Sequence, residues 1–260
     1  MNLKNKRIIV TGAASGMGKK TAEILKEEGA YVIGVDRNVT SENVHEFYKA
    51  DLSNKEAIDT LISQLPGNID GLANIAGVPP TAHEDVVVKV NLVGLKYLTY
   101  GVIPKLNNNA SIVNLASLAS VGWPEATAEI KESFDLDFDD VAAFNSKHNI
   151  KCPRSYFFSK EALVVWTMLN RWTWLNRNIT MNCVSPGPVD TPIFKDFIAT
   201  LGDRVEEDRR IMDRDGVPGD VAPVVVFLLS EDAKWIRGAN IPTDGGMFQH
   251  IQMDKHGYLK

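Results

Sequence analysis

Cysteine is almost missing from this chain: two residues, Cys152 and Cys183, among 260. Two thiols cannot build a disulfide framework, and they fit a reducing compartment as free groups. The five histidines are scattered without zinc-ligand spacing, so no metal site is expected. Positive charge is not in excess. Lys and Arg number 28 against 33 Asp and Glu, a net charge of −5, which argues against nucleic acid or an anionic membrane as partner. Long apolar runs are absent too. The longest, Val221 to Leu229, contains Pro223 and is too short to span a bilayer. The opening residues, Met1 to Arg7, lack the apolar region of a signal peptide. These absences set the expectation of a cytoplasmic protein. The rest is ordinary, with 44% hydrophobic and 23% charged residues. A chain this long can bury nearly three quarters of its unfolded surface, enough for a full core.

Short apolar runs alternate with longer helical patterns. Arg7–Val10, Tyr31–Val35, Phe47–Ala50, Ile69–Ile75, Ser111–Leu115, Ile179–Val184 and Asn240–Pro242 read as strands. Gly16–Glu28, Asn54–Leu65, Ala82–Leu106, Tyr156–Leu175 and Val221–Leu229 read as helices. Apolar strands without polar alternation, separated by helices, indicate a parallel sheet covered on both faces. Right-handed crossovers then give an α/β, Rossmann-like, doubly wound sheet in three layers. No repeat and no Ser/Gly linker divides the chain, so residues 1–260 are expected to form a single domain.

After the first strand, Thr11-Gly12-Ala13-Ala14-Ser15-Gly16-Met17-Gly18 opens a helix. Glycines there permit a tight turn and close backbone approach to a pyrophosphate, and the helix N-terminus supplies free N–H groups. Asp36 ends the second strand, where a carboxylate can accept both ribose hydroxyls of NAD and would repel a 2′-phosphate. Arg37 is the counter-argument, since a guanidinium could receive that phosphate. No basic residue lies between Thr11 and Gly18, so NAD is the expected cofactor. Tyr156 and Lys160 stand four apart, on one face of a helix. An ammonium close to a phenol favours the phenolate, and a phenol so tuned can exchange a proton with an alcohol or carbonyl oxygen.

Thr-Gly-x-x-x-Gly-x-Gly resembles the fingerprint of the short-chain dehydrogenase/reductase family, and further stations follow in the family's order. Asp51-Leu52 resembles the adenine-contacting pair. Asn74-Ile75-Ala76-Gly77 resembles the segment ending the fourth strand, with Ile75 in place of a second Asn. Asn91 and Ser117 resemble two of the catalytic set, Tyr156-x-x-x-Lys160 the other two. Pro186-Gly187-Pro188-Val189-Asp190-Thr191 resembles the loop on the nicotinamide side, and Gly238 to Gly246 the terminal strand. The resemblance covers nearly the whole chain. It implies an NAD-dependent oxidoreductase moving a hydride between nicotinamide and an alcohol or carbonyl. Tyr156 would be the acid/base, Lys160 would tune it and bond the ribose, Ser117 would hold the substrate oxygen, and Asn91 would anchor a water. Ser15, Gly16, Met17 and Gly18 would complete the cofactor turn. Ser120 rivals Ser117, because Leu115-Ala116-Ser117 and Leu118-Ala119-Ser120 repeat.

The chain departs from the family between Ser117 and Tyr156, where an insertion occupies about 121–152. The insertion resembles that of the bacterial branch holding coniferyl-alcohol dehydrogenase and 3α-hydroxysteroid dehydrogenase/carbonyl reductase. That likeness implies an aromatic or allylic alcohol, or a cyclic secondary alcohol, as substrate. The insertion reads either as a surface excursion or as a wall of the substrate pocket. Trp123, Phe134, Phe138 and Phe194 are the candidate aromatic walls, against the alternative of a local core. A substrate lid is expected at about 191–214. A homodimer or homotetramer is expected by resemblance. The tail from Phe248 is read as disordered or as reaching a neighbouring subunit.

Overall fold

The computed structural model describes residues 1–202, 208 and 210–259. Seven strands form one parallel sheet: β1 (Arg7–Thr11), β2 (Tyr31–Asp36), β3 (Glu46–Lys49), β4 (Ile69–Asn74), β5 (Leu106–Leu115), β6 (Thr180–Pro186) and β7 (Asn240–Thr243). Their order across the sheet is β3-β2-β1-β4-β5-β6-β7. The order reverses between β1 and β4, and ligands of such sheets bind at that switch, beyond the carboxyl ends of the strands.

Both faces are buried, which is why the strands read as unbroken apolar runs. Alternate residues serve opposite layers. Ile9, Leu72 and Ile112 pack with α2 (Lys55–Gln64), α4 (Leu95–Val102) and α7 (Arg154–Leu169). Ile8, Val10 and Val113 pack against α1 (Gly16–Glu27) and α9 (Pro218–Leu229). Asn54 caps α2 by accepting the Ala57 N–H at 2.7 Å.

The helical pattern from Ala82 to Leu106 is one nearly continuous stretch with a change of pitch. It runs through α3 (Glu84–Val88), a π-helical turn over Lys89–Gly94, and α4. By length and composition it could cross a membrane, yet two thirds of its apolar window (67%) is buried inside the fold. The wider turn at Lys89–Gly94 holds Asn91, and such bulges often sit at functional sites.

The insertion folds as a 3₁₀ turn (Leu118–Gly122) and two short helices, α5 (Thr127–Glu132) and α6 (Val141–Lys147). Ile130, Phe138, Val141, Phe144 and Ile150 are buried and join the main core. Phe138 meets Tyr97 edge-on, and Phe144 lies 5.4 Å from Phe158 of α7. The Lys96 ammonium, on α4, donates to the Ser133 and Phe134 carbonyls at 3.1 and 2.6 Å. The insertion is thus clamped to the outer side of α4 and α7.

Helix α8 (Phe194–Leu201) begins the expected lid; residues 203–207 and 209 of that stretch lie outside the described residues. The tail is a helix rather than a loose end. In α10 (Met247–Lys255), Met247 is buried and Lys255 pairs with Glu125 at 2.9 Å.

Candidate active site

Two connected hollows open beyond the carboxyl ends of the strands. The first is a groove of about 150 Å³ lined by the turn after β1, the end of β2 and the segment after β4. Gly12 has a left-handed φ of +73°, and a Cβ there would stand 2.9 Å from the Ala76 nitrogen. A Cβ on Gly18 would overlap the Gly12 carbonyl oxygen. Only hydrogen fits at both places, so the turn lies close against the segment after β4. The Thr11 hydroxyl fixes the floor by accepting the Ile75 and Ala76 N–H groups at 2.9 and 3.0 Å. Asp36 is held by N–H groups of Ala14 (3.0 Å) and Asn38 (2.8 Å). Its carboxylate is therefore aimed before any ligand arrives.

Gly12, Ser15, Gly16, Met17, Gly18, Asp36, Arg37, Asp51, Leu52, Ala76, Gly77 and Thr191 all line this groove. A glycine cradle ending in an oriented carboxylate fits a dinucleotide. Val35, Asn38, Ala50, Val78, Val90 and Ile193 line it as well and were missed in the sequence. They carry no chemistry that a motif would flag. Asn74 is a correction: its side chain does not reach the groove. It is buried under the sheet end, bonded to Thr99 and Asn114 at 2.9 Å each. Strand alternation turns it towards α4 and α7 instead.

The second hollow, about 140 Å³, holds Ser117, Tyr156 and Lys160 together with Pro186, Gly187, Val189, Thr191 and Phe194. Ser117 stands two residues beyond the end of β5, and its hydroxyl accepts the Ala119 N–H at 3.1 Å. Ser120 points elsewhere. It is 2% exposed, donates to the Ser117 carbonyl at 2.7 Å, and does not line the hollow, so Ser117 is the serine at the site. Tyr156 lies in the first turn of α7, nearly buried, with its ring edge-to-face against Phe197 at 4.9 Å. Burial pushes its phenol up to about 12, and the hydrogen bond with Ser117 works in the opposite sense. Lys160, one turn on, donates to the Leu115 carbonyl at 2.7 Å; burial lowers it to about 8. The expected phenolate at Tyr156 is thus opposed by desolvation, which outweighs the Ser117 hydrogen bond.

Asn91 does not line either hollow. Its amide accepts the Val78 N–H at 2.9 Å and donates to the Val78 carbonyl at 3.1 Å. It pins the wall at Gly77, where a Cβ would meet both the Asn91 Oδ1 (3.2 Å) and the Lys160 Nζ (3.9 Å).

Trp123 is the second correction. The 3₁₀ turn after Ser117 carries it away from the hollow, and it packs on the main core. Phe134 and Phe138 also pack there, as a local core of the insertion. Phe157 and Phe197 line the hollow in their place. Phe157 adjoins Tyr156, and Phe197 falls one helical turn after Phe194, a spacing that could have revealed it.

Sequence comparison agrees with this geometry. A family model described as short chain dehydrogenase matches residues 6–128, and one described as Enoyl-(Acyl carrier protein) reductase matches 141–248. A coniferyl-alcohol dehydrogenase from Pseudomonas sp. is 44% identical over 250 residues, covering 95% of this chain and 98% of the relative. A 3-alpha-hydroxysteroid dehydrogenase/carbonyl reductase from Comamonas testosteroni is 26% identical, covering 92% and 95%. Among solved structures, a 3-alpha-hydroxysteroid dehydrogenase from Pseudomonas sp. complexed with NADH superposes with a TM-score of 0.83 at 28% identity, covering 95% and 98%. With the fold, the glycine turn and the full-length matches in agreement, the chain belongs to the short-chain dehydrogenase/reductase family, oxidoreductases that act on CH–OH groups with a nicotinamide cofactor.

Proposed function

We propose that the protein is an NAD-dependent alcohol dehydrogenase whose substrate is an aromatic or allylic alcohol of the coniferyl-alcohol kind. The observation that carries this is the shape of the second hollow. A cavity of about 150 Å³ holds one benzene ring, and this one, at 140 Å³, has Phe157, Phe194 and Phe197 in its walls beside Ser117 and Tyr156. Aromatic walls favour a flat ring through offset and edge-to-face contacts. Among the described lining residues Asp208 is the one carboxylate and Lys160 the one cation, so an anionic substrate finds little to hold it. The relative at 44% identity, named for coniferyl alcohol, supports the same reading.

In alcohol oxidation, Ser117 donates to the substrate oxygen and fixes it beside Tyr156. The Tyr156 phenolate takes the hydroxyl proton at Oη, and the Lys160 ammonium stabilises that phenolate. NAD, when bound, supplies the acceptor for the hydride that leaves the carbinol carbon. Asp36 would accept the ribose hydroxyls, and the Pro186–Thr191 loop would line the nicotinamide side. A homodimer or homotetramer belongs to the same reading.

A substrate panel with NAD, followed by NADH absorbance, tests the proposal. Coniferyl alcohol is expected to give the highest kcat/KM against a 3α-hydroxysteroid and a cyclic terpene alcohol. A higher value for the steroid would transfer the assignment to the hydroxysteroid class, which the superposed structure favours.

A further inference from the structure

Asn74, Asn114, Cys183 and Asn240 occupy one row across β4, β5, β6 and β7, each the register partner of the next. Parallel strands in register turn such residues to the same face, here the face covered by α4 and α7. The row is polar inside an apolar layer, and Asn74, Asn114 and Cys183 are no more than 1% exposed. It is also connected. Asn74 Nδ2 donates to Asn114 Oδ1 and to the Thr99 hydroxyl of α4, each at 2.9 Å. Asn114 Nδ2 donates to the Thr167 hydroxyl of α7 at 3.0 Å. Thr167 donates in turn to the Leu163 carbonyl at 2.8 Å, and its hydroxyl acts electrostatically on the Cys183 thiol. Cys183 interacts electrostatically with Lys160 and donates to Asn240 Oδ1 at 3.4 Å.

The placement of this row relative to the site is regular. Gly77 lies three residues beyond Asn74, Ser117 three beyond Asn114, and Pro186 three beyond Cys183. On the helix side, Thr167 follows Lys160 by seven residues, close to two turns. Apolar packing alone is non-directional and tolerates a slide of α7 along the sheet. Paired amides and hydroxyls in a low dielectric do not, because a slide would leave several of them unsatisfied.

We infer that the Asn74–Asn114–Thr167–Cys183 row is a positioning network that sets the height of the Tyr156 helix against the strand ends carrying Gly77, Ser117 and Pro186. Thr167 is its link between sheet and helix, a positioning residue that touches neither substrate nor cofactor. The inference rests on the reading of Ser117, Tyr156 and Lys160 as the reacting group. Displacement of reacting groups by about 1 Å costs on the order of 100-fold in rate, so the network should govern turnover more than binding.

Thr167→Val keeps the side-chain shape and removes the hydroxyl; Thr167→Ser keeps the hydroxyl. The full-length enzyme is assayed for kcat, for KM of coniferyl alcohol, and for NADH affinity by tryptophan fluorescence, with circular dichroism to check folding. Thr167→Val is expected to lower kcat by about 10- to 100-fold, leaving KM and NADH affinity within about threefold, while Thr167→Ser restores most of kcat. Wild-type kcat in a folded Thr167→Val protein would overturn the inference. So would parallel loss of kcat and NADH affinity, which marks general loosening. If Thr167→Val does not fold, Thr167→Cys, with its weaker sulfur partner, takes its place with the same criteria. Tyr156→Phe is run alongside. Retained turnover there refutes the catalytic reading itself, whereas a dead Tyr156→Phe with a fully active Thr167→Val refutes only the network.

Discussion

The Lys160 ammonium lies 5.7 Å from the centre of the Tyr156 ring, over the phenol it is placed to charge-balance. Both groups are buried, and burial acts on them in opposite directions: the phenol goes up to about 12 and the ammonium down to about 8. A neutral phenol beside a partly protonated amine is suited to donating a proton. Accepting one, as alcohol oxidation requires, needs the positive charge at Lys160.

Alcohol oxidation should therefore rise with pH up to about 8, because the phenol must lose its proton, and level off above it, where Lys160 loses the charge that supports the phenolate; carbonyl reduction should fall as the pH rises. Lys160→Met removes the charge and leaves burial unopposed. It is expected to lower kcat for oxidation at pH 8 by about 100-fold or more, the size of a general acid–base contribution. Stopped assays in both directions from pH 6 to 10 provide the check. An unchanged oxidation profile would separate Lys160 from Tyr156.

Asp36 is oriented by two backbone N–H groups at the far end of the groove. Asp36→Ala removes a charged acceptor for ribose hydroxyls, and hydrogen bonds to charged groups contribute about 1.5–3 kcal/mol. KM for NAD should rise by roughly 10-fold or more, while NADP, relieved of repulsion, loses less or gains. The ratio of kcat/KM values for the two cofactors is the measurement. A constant ratio would remove Asp36 from the ribose.

Lys96 is almost buried, and desolvation lowers it from 10.5 to about 8. Between pH 8 and 10.5 the unfolded chain holds a proton on this lysine that the folded chain has released. Stability from this group therefore rises with pH across that window and is flat below it. The unfolding free energy of the wild type minus that of Lys96→Met should increase from pH 8 to pH 10, by at most about 1.4 kcal/mol per pH unit. Urea titrations at the two pH values test this. Lys96→Met should also loosen α5 and its following turn, seen as faster hydrogen exchange near Ser133 and Phe134, whose carbonyls lose their donor.

The strands, the glycine turn, and the stations at Asp36, Ser117, Tyr156 and Lys160 were readable from the chain because each depends on local chemistry. A tight turn demands glycine, a buried strand demands an apolar run, and two groups on one helix face demand a spacing of four. Asn74 and Trp123 were misplaced for a shared reason. Each follows or precedes residues that do line the site, Ile75 beside Asn74 and Leu118–Ala119 a turn before Trp123, and only the course of the fold decides the matter. Asn74 alternates to the face under α4 and α7, and the 3₁₀ turn after Ser117 swings Trp123 onto the core.

By itself the sequence determined the doubly wound sheet and the glycine turn, and it named Ser117, Tyr156 and Lys160, which the fold brings to one hollow, since periodicity and turn chemistry act over a few residues. The tertiary structure decided which aromatics wall the substrate hollow, that the insertion is clamped by Lys96 rather than free, and that Asn74, Asn114, Thr167 and Cys183 meet in one row. Those outcomes depend on contacts between residues far apart in the chain, such as Asn74 with Thr99 (25 positions) and Asn114 with Cys183 (69 positions). Such contacts form where strand register and helix packing bring surfaces together, and no local pattern in the chain encodes them.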